Sequence, residues 1–163
     1  MINNNKILTK ITLKKLLIFS LIAPIIYLLI GALFTHIVIN ISDSHRGTIF
    51  WKSDKSPVKN NFVYFDFKHK LLPQNIDILS KKLVCIESDN LVINDNFIIC
   101  NEKKYPIKRN QKTGSGKSIK QFYYEGTVPK NQAVVWGSNL ESFDSRYWGF
   151  IGYDRLRAMD IIL

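Results

Sequence analysis

The sequence lacks any Asp, Glu, Lys or Arg between Lys15 and Asp43, although the chain of 163 residues has a net charge of +10. The uncharged run 16–41 is long enough to cross roughly 30 Å of hydrocarbon as one helix. No Ala-x-Ala-like cleavage site follows it, and it is nearly twice the length of a signal-peptide core. We therefore predict an uncleaved transmembrane anchor over residues 16–41.

Acidic residues are also absent before this run. Segment 1–15 carries four of the 23 Lys and Arg residues and none of the 13 Asp and Glu residues. A Lys excess on one side of an anchor predicts that this side stays in the cytoplasm. We expect a single-pass protein of the cytoplasmic (inner) membrane, with segment 1–15 inside and a domain 42–163 on the periplasmic or outer face.

The remaining excess of basic residues lies in 42–163 and admits two classes of partner. A basic domain is typical of nucleic-acid binding, but it also suits an anionic lipid surface. Because an anchor is predicted, we expect the lipid bilayer as a partner and no nucleic acid.

Cysteine and histidine are scarce. Cys85 and Cys100 are an even pair in a predicted oxidising compartment, which permits a disulfide. Paired cysteines in short strands are also often small buried hydrophobes, and the sequence leaves both possibilities open. The histidines are scattered, with no partner at metal-ligand spacing: His36, His45 and His69. We expect no metal and no cofactor.

Long helical periodicity is missing after residue 41. Runs of β-branched and aromatic residues predict strands at 47–51, 62–67, 83–86 and 133–136, and a hairpin over 91–99. Residues 73–80 admit a short helical turn at best. We expect a mostly antiparallel β domain of about 120 residues, near the common domain size.

One glycine is missing where a phosphate-binding loop would need it. Segment 114–118 resembles the end of such a loop, but position 111 is Gln111, and neither the strand before nor the helix after is apparent. We therefore interpret 103–120 as a flexible hairpin tip and not as a nucleotide site.

The sequence also lacks a Gly-x-Ser-x-Gly nucleophile signature, so serine hydrolysis would need a base other than histidine. A lysine serves when burial in an apolar site lowers its pKa and leaves the amine neutral. Lys81 heads the apolar strand 83–86, which offers such a site. The alternative is a solvated edge residue, the commoner position for a lysine.

Several segments carry a family resemblance, in family order and spacing. They include an Asn-x-Ser/Thr-x-Ser pattern at 40–44, the strand at 61–65, a Lys-Arg-Val-Val-Gly-Leu-Pro-Gly-Asp-like segment at 81–89 and a close Ser-x-Asp-Ser-Arg-Tyr-x-Gly match at 142–149. They resemble the type I signal peptidases and, within them, most closely the TraF-type pilin-processing serine peptidases of conjugative transfer. The resemblance implies a signal-peptidase-like antiparallel β domain after the anchor.

The resemblance also implies roles for individual side chains. Ser44 would be the nucleophile and Lys81 the general base. Ser42 would donate a side-chain hydrogen bond to the oxyanion, and Ser142 would orient the Lys81 amine. These four side chains would together make up the reacting centre.

Asp144 and Arg146 would form an ion pair that supports the site and takes no part in the chemistry. The chain departs from the family pattern beside the nucleophile, where His45 and Arg46 replace Met or Leu and Pro, and Gly47 comes one residue early. The Gly-Asp-Asn-Arg opening of the last segment is also reduced. These losses and the short chain favour the conjugative branch.

The resemblance thus implies a membrane-anchored serine endopeptidase that removes the leader of a membrane-inserted precursor by cleaving after small residues at −1 and −3. The precursor that it implies is a conjugative pilin. The alternatives are a general signal peptidase of broad specificity and a non-enzymatic, membrane-anchored component of a conjugation or secretion apparatus. Phe50 and Trp51 are expected either to seat the domain in the membrane interface or to lie in the core.

Overall fold

The computed structural model describes residues 4–39, 49–74, 76–108, 111–112, 116 and 118–162, and side chains from residue 15 onward. The chain divides into two units, Met1–Ile37 and Val38–Leu163. Helix α1, Asn4–Thr35, makes up most of the first unit and continues through Pro24. Its part Lys15–Thr35 is long and apolar enough to cross a membrane.

Helix α1 differs from the predicted anchor 16–41 at both ends. It begins within the basic segment, where Lys, Leu and Ile are good or acceptable helix formers. It ends at Thr35, and the Ile-Val-Ile sequence that follows is strand β1, Ile37–Ile39, because β-branched side chains favour extended backbone. The apolar run therefore extends six residues beyond the end of the helix.

Eleven strands are present in the part of the chain that the structure describes. After β1 they are β2 Ile49–Lys52, β3 Phe62–Asp66, β4 Ile78–Ile86, β5 Asn90–Ile93, β6 Phe97–Cys100, β7 Lys103–Pro106, β8 Tyr124–Thr127, β9 Gln132–Trp136, β10 Ile151–Gly152 and β11 Arg157–Ile161. A short helix, α2 Ser145–Trp148, and a 3₁₀ turn, Tyr153–Arg155, interrupt them. The mostly β fold after one N-terminal helix is confirmed.

The strands form two sheets. One has seven strands in the order β1-β2-β11-β3-β4-β9-β10, and the other has four in the order β7-β6-β5-β8. The pairs β11 with β2 and β3, β3 with β4, β4 with β9, and β9 with β10 are antiparallel, as are those of the smaller sheet. Strand β4 is therefore an inner strand of the larger sheet.

The predicted strands at 62–67 and 133–136 and the hairpin over 91–99 are confirmed, with small shifts of their ends. The strand at 83–86 is confirmed as the end of the longer β4, and the strand at 47–51 is confirmed from residue 49 onward, since 47–48 lie outside the described residues. Strand β4 begins at Ile78, so that residues 78–80 are not helical. Strand β7 falls inside the predicted loop 103–120. Its lysines suit an edge strand, and its one inward side chain, Tyr105, is buried in the core.

Two hydrophobic clusters lie on opposite faces of β4 and β9. One contains Val84, Cys85 and Val134 together with side chains from the smaller sheet. The other contains Leu79, Leu83 and Val135 together with side chains from β3. Because both faces of β4 are covered, eight of its nine residues are buried or half-buried, and only the first, Ile78, is exposed. This inner strand is where Lys81 lies.

A disulfide joins Cys85 on β4 to Cys100 on β6 and so links the two sheets. Of the two possibilities that the sequence left open, a disulfide and a pair of buried free cysteines, the structure has the disulfide. Phe50 is fully buried and packs against the ring of Phe62, with centroids 5.4 Å apart, so of its two expected places the structure gives the core. Trp51 is half-buried.

Candidate active site

Lys81 occupies the middle of β4 and is 2% exposed. Side chains alternate along a strand, so Lys81 shares a face with Leu79 and Leu83, and it is paired with Val63 on β3. All three neighbours belong to one hydrophobic cluster. The alternative of a solvated edge lysine is therefore wrong, because strands cover β4 on both sides.

This burial changes the acid–base behaviour of the Lys81 amine. Desolvation lowers its pKa from 10.5 to about 8, because the charged form loses its water. The carboxylate of Asp144 partly opposes this change and raises the pKa, whereas the guanidinium of Arg146 lowers it. The amine thus lies within the electrostatic reach of both side chains, and at a pH near 8 about half of it is neutral.

Asp144 and Arg146 form an ion pair in which both side chains are fully buried. Arg146 Nε donates to Asp144 Oδ1 at 2.7 Å, and Arg146 Nη2 donates to Asp144 Oδ2 at 2.5 Å. Asp144 is also the N-cap residue of α2, since its Oδ1 accepts from the Arg146 backbone N–H. A planar guanidinium matches a carboxylate with two parallel bonds, which an ammonium group does not do.

The same pair holds the turn that precedes it. Arg146 donates to the backbone carbonyls of Gly137, Asn139 and Leu140 at 3.0–3.3 Å. Asp144 Oδ2 accepts from the Gly137 N–H at 2.7 Å. Residues 137–140 are therefore wrapped around the ion pair, and the path of the chain from β9 to α2 depends on it.

Two further serines of this segment are buried. Ser142 is 6% exposed, and its backbone N–H donates to the Asn139 carbonyl at 3.0 Å. Ser145 is fully buried, and its Oγ accepts from the Val135 N–H of β9 at 2.9 Å. Ser145 therefore attaches α2 to the strand beside β4. Sequence reasoning gave it no role, although it lies inside the best-matched segment.

Of the six predicted site residues, the structure brings Lys81, Asp144 and Arg146 together and buries Ser142 in the same segment as the ion pair. The predicted nucleophile Ser44 and oxyanion donor Ser42 lie in 40–48, outside the described residues. The arrangement can supply a buried, readily deprotonated amine held beside a rigid, charge-balanced support.

One group of possible metal ligands occurs among the described residues, formed by Cys85, Asp89 and Cys100. The two sulfur atoms are joined in the disulfide and offer no thiolate. The Asp89 carboxylate accepts from Lys59 Nζ at 2.7 Å and from the Ile86 N–H at 2.9 Å. This group has the contacts of a structural loop and not those of a metal centre.

Comparison with known proteins gives a family for this arrangement. The sequence matches the family model described as signal peptidase, peptidase S26, over residues 12–160. Among solved structures, a signal peptidase I from Enterococcus faecalis V583 matches with 19% identity and a TM-score of 0.42, covering 68% of this chain and 100% of that chain. No curated protein sequence is significantly similar. Because the family match spans nearly the whole sequence, the chain belongs to the signal peptidase family, peptidase S26, and is a serine peptidase that cleaves leader peptides.

Proposed function

We propose that this peptidase uses a Ser–Lys dyad, with Ser44 as the nucleophile and Lys81 as the general base, and that its precursor is a conjugative pilin. The observation that carries the dyad is the burial of Lys81, whose pKa is lowered to about 8. A hydroxyl nucleophile needs a neutral base near the working pH. A solvated lysine would be almost fully protonated there and would accept no proton.

The remaining residues have supporting roles in this proposal. Ser142 orients the Lys81 amine, and Ser42 donates its hydroxyl to the oxyanion beside the Ser44 N–H. Asp144 and Arg146 keep the segment that bears Ser142 in place. Because these two charges oppose each other at the amine, burial remains the main influence on its pKa.

The anchor fits this reaction. The family and helix α1 indicate a membrane-anchored protein that acts on membrane-inserted preproteins. We propose an inner-membrane protein with its N-terminus in the cytoplasm, because segment 1–15 is basic. Ser44 follows the apolar run by only a few residues, and a precursor's cleavage site lies just outside its own apolar segment. Both reacting groups then share one thin layer, which raises their effective concentration.

The pilin is proposed on the sequence pattern at 40–44 and on the reduced opening at 137–140, which favour the conjugative branch. Small pockets against a strand edge would select small residues at −1 and −3. Co-expression with a membrane-inserted conjugative prepilin and with a set of ordinary preproteins tests the choice. Preferential cleavage of the prepilin supports it, and equal cleavage of all precursors would favour a general signal peptidase.

The dyad is tested with the full chain in membranes and a membrane-inserted precursor that carries Ala at −3 and −1. Ser44→Ala should leave no cleavage above background. Lys81→Arg should be nearly inactive, because a guanidinium keeps its proton. Ser42→Ala should lower turnover by roughly 10- to 1000-fold, the scale of one lost oxyanion donor.

Lys82→Arg is the matched control, since Lys82 is the next residue of β4, points to the other face and is half-buried. It should cleave like the parent. Lys81→Met provides a second inactive variant that is expected to fold. An active Lys81→Arg or Lys81→Met enzyme would exclude Lys81 as the base, and a silent Ser42→Ala would place the oxyanion donor elsewhere.

A further inference from the structure

The connection between β7 and β8 makes contact with the segment that carries Ser142, Asp144 and Arg146. Gln111 on this connection occupies the position where a phosphate-binding loop would have glycine. Its Nε2 donates to the backbone carbonyl of Glu141 at 2.6 Å, and its Oε1 accepts from the Tyr147 hydroxyl at 2.6 Å. One amide thus bonds to the residue just before Ser142 and to the residue just after Arg146.

The chemistry of these contacts permits only one orientation of the amide. A backbone carbonyl accepts hydrogen bonds and donates none, so the NH₂ group must face Glu141. The carbonyl oxygen then faces the Tyr147 hydroxyl, which donates to it. Burial raises the pKa of Tyr147 above its usual value, so the phenol keeps this proton at working pH. Both halves of the amide are therefore used.

The connection that carries Gln111 is itself fastened to its surroundings. The Ile119 N–H donates to the Gln111 carbonyl at 2.9 Å, and Lys112 and Ser118 form an antiparallel bridge beside it. At the start of the connection, the Ile107 N–H donates to Asn96 of the β5–β6 hairpin at 2.7 Å. The connection is therefore hydrogen-bonded within itself around Gln111 and joined to the smaller sheet at Ile107.

The hydrogen bonds of Gln111 to Glu141 and Tyr147 restrain the segment that carries the site residues. The ring of Tyr147 stacks on that of Phe143, with centroids 5.9 Å apart, and Phe143 lies between Ser142 and Asp144. Lys108 forms an ion pair with the Glu141 side chain and adds a contact from the same connection. The contacts thus reach both ends and the middle of the segment.

We propose that Gln111 is a positioning residue for peptide-bond cleavage, which fixes both ends of the segment 142–146 and so holds its side chains beside Lys81. The inference rests on the proposed function, since it takes Lys81 as the base. Gln111 touches neither substrate nor reacting atoms in this account. It acts through Ser142, Asp144 and Arg146, whose placement sets the geometry and the charge around the amine.

The chain offers a matched control in Gln121. Gln111 and Gln121 line the same polar cavity of about 320 Å³, and Gln121 Nε2 also donates to a backbone carbonyl at 2.6 Å. Its acceptor is Asn94 in the β5–β6 hairpin and not a residue of segment 141–147. Methionine replaces glutamine at nearly equal volume and removes both hydrogen bonds. The variants Gln111→Met and Gln121→Met thus apply the same substitution to two residues that line one cavity.

The experiment uses the full chain in detergent micelles and a soluble fluorogenic peptide with Ala at −3 and −1. Gln111→Met should lower kcat by about 10- to 100-fold with little change in KM, the scale of a small misplacement of reacting groups. The acid limb of its kcat–pH profile should move, because the distances of Asp144 and Arg146 from the amine change. Tyr147→Phe should lower kcat less, and adding it to Gln111→Met should cost little more.

Gln121→Met should keep the kcat and the pH profile of the parent, whatever its effect on the melting temperature. Equal kcat values for Gln111→Met and the parent would overturn the inference, and so would equal losses in both glutamine variants, which would indicate general loosening only. Lys81→Arg, measured alongside, separates the two claims. If it is active, the dyad fails. If it is inactive while Gln111→Met is fully active, only the positioning role fails.

Discussion

Strand β4 and the segment Asp144–Trp148 each bury one basic side chain, but the protein treats the two differently. Arg146 is fully buried with a carboxylate partner and three backbone carbonyls as acceptors. Lys81 is 2% exposed, and desolvation is the main influence on its pKa, which falls to about 8. The charge of one cation is balanced by a buried partner, and the other cation is brought close to neutrality by burial.

The comparison separates structural from chemical use of a buried cation. A guanidinium keeps its proton throughout the accessible pH range, so the protein can use Arg146 only as a fixed charge and donor. An ammonium group loses its proton when burial penalises the charged form. We therefore expect Arg146 to add stability and Lys81 to reduce it, in exchange for a base. This trade between stability and activity is common at functional sites.

The largest effect on stability should come from breaking the Asp144–Arg146 pair. Arg146→Met leaves a buried carboxylate without its partner and frees the turn 137–140, which should cost about 3–5 kcal/mol of unfolding free energy. Denaturant titration of the detergent-solubilised chain measures it. Arg157→Met, at an exposed position of β11, should change the value by less than about 0.5 kcal/mol. Similar losses in both variants would remove the distinction between a structural and a surface arginine.

Removal of the disulfide should have the next largest effect. Cys85 lies four residues after Lys81 on β4 and is joined across a sequence separation of 15 residues to Cys100. Replacing both cysteines by alanine should lower the unfolding free energy by about 3 kcal/mol, mainly because the unfolded chain gains freedom. Reducing agent should shift the parent by a similar amount and leave the double variant unchanged. If reducing agent left the unfolding free energy of the parent unchanged, a structural role for the disulfide between the sheets would be contradicted.

Lys81→Met should change the unfolding free energy in the opposite direction, by no more than the loss of the disulfide does. Below pH 8 the parent carries a buried charge, so the variant should be more stable by up to about 3 kcal/mol. Between about 8 and 10.5 the unfolded chain binds this proton and the folded chain does not, so the parent gains stability as the pH rises. The advantage of Lys81→Met should therefore vanish near 10.5. A variant less stable than the parent at pH 7 would contradict the account.

The sequence predicted the strands whose apolar side chains alternate or run continuously, since burial of those side chains requires an extended chain. It missed the edge strands β7, β8 and β10 and the inner strand β11. It also placed the end of α1 six residues too late, because an apolar run does not reveal where β-branched residues take over. Periodicity reports local geometry, and edges and helix ends depend on what packs nearby.

The candidate site could be predicted only through the segments that resemble the family, 81–89 and 142–149 among the described residues. The pairing of Asp144 with Arg146 is local and could be expected from two charges on one bend. The contacts of Arg146 with 137–140 and of Gln111 with Tyr147 join side chains to groups that no short pattern connects. The burial of Lys81 likewise depends on β3 and β9 covering β4, which only the order of strands in the folded sheet decides.

The pH dependence of kcat/KM for the soluble Ala-containing peptide tests the central claim most directly, because it reports ionisations of the free enzyme that control the reaction. If Lys81 must be neutral, activity should rise tenfold per pH unit in acid and level off through a single midpoint near 8. Lys82→Arg should keep that midpoint, whereas Lys81→Arg should give no profile to fit. A midpoint near 10.5, or activity that is independent of pH between about 6 and 9, would contradict the account.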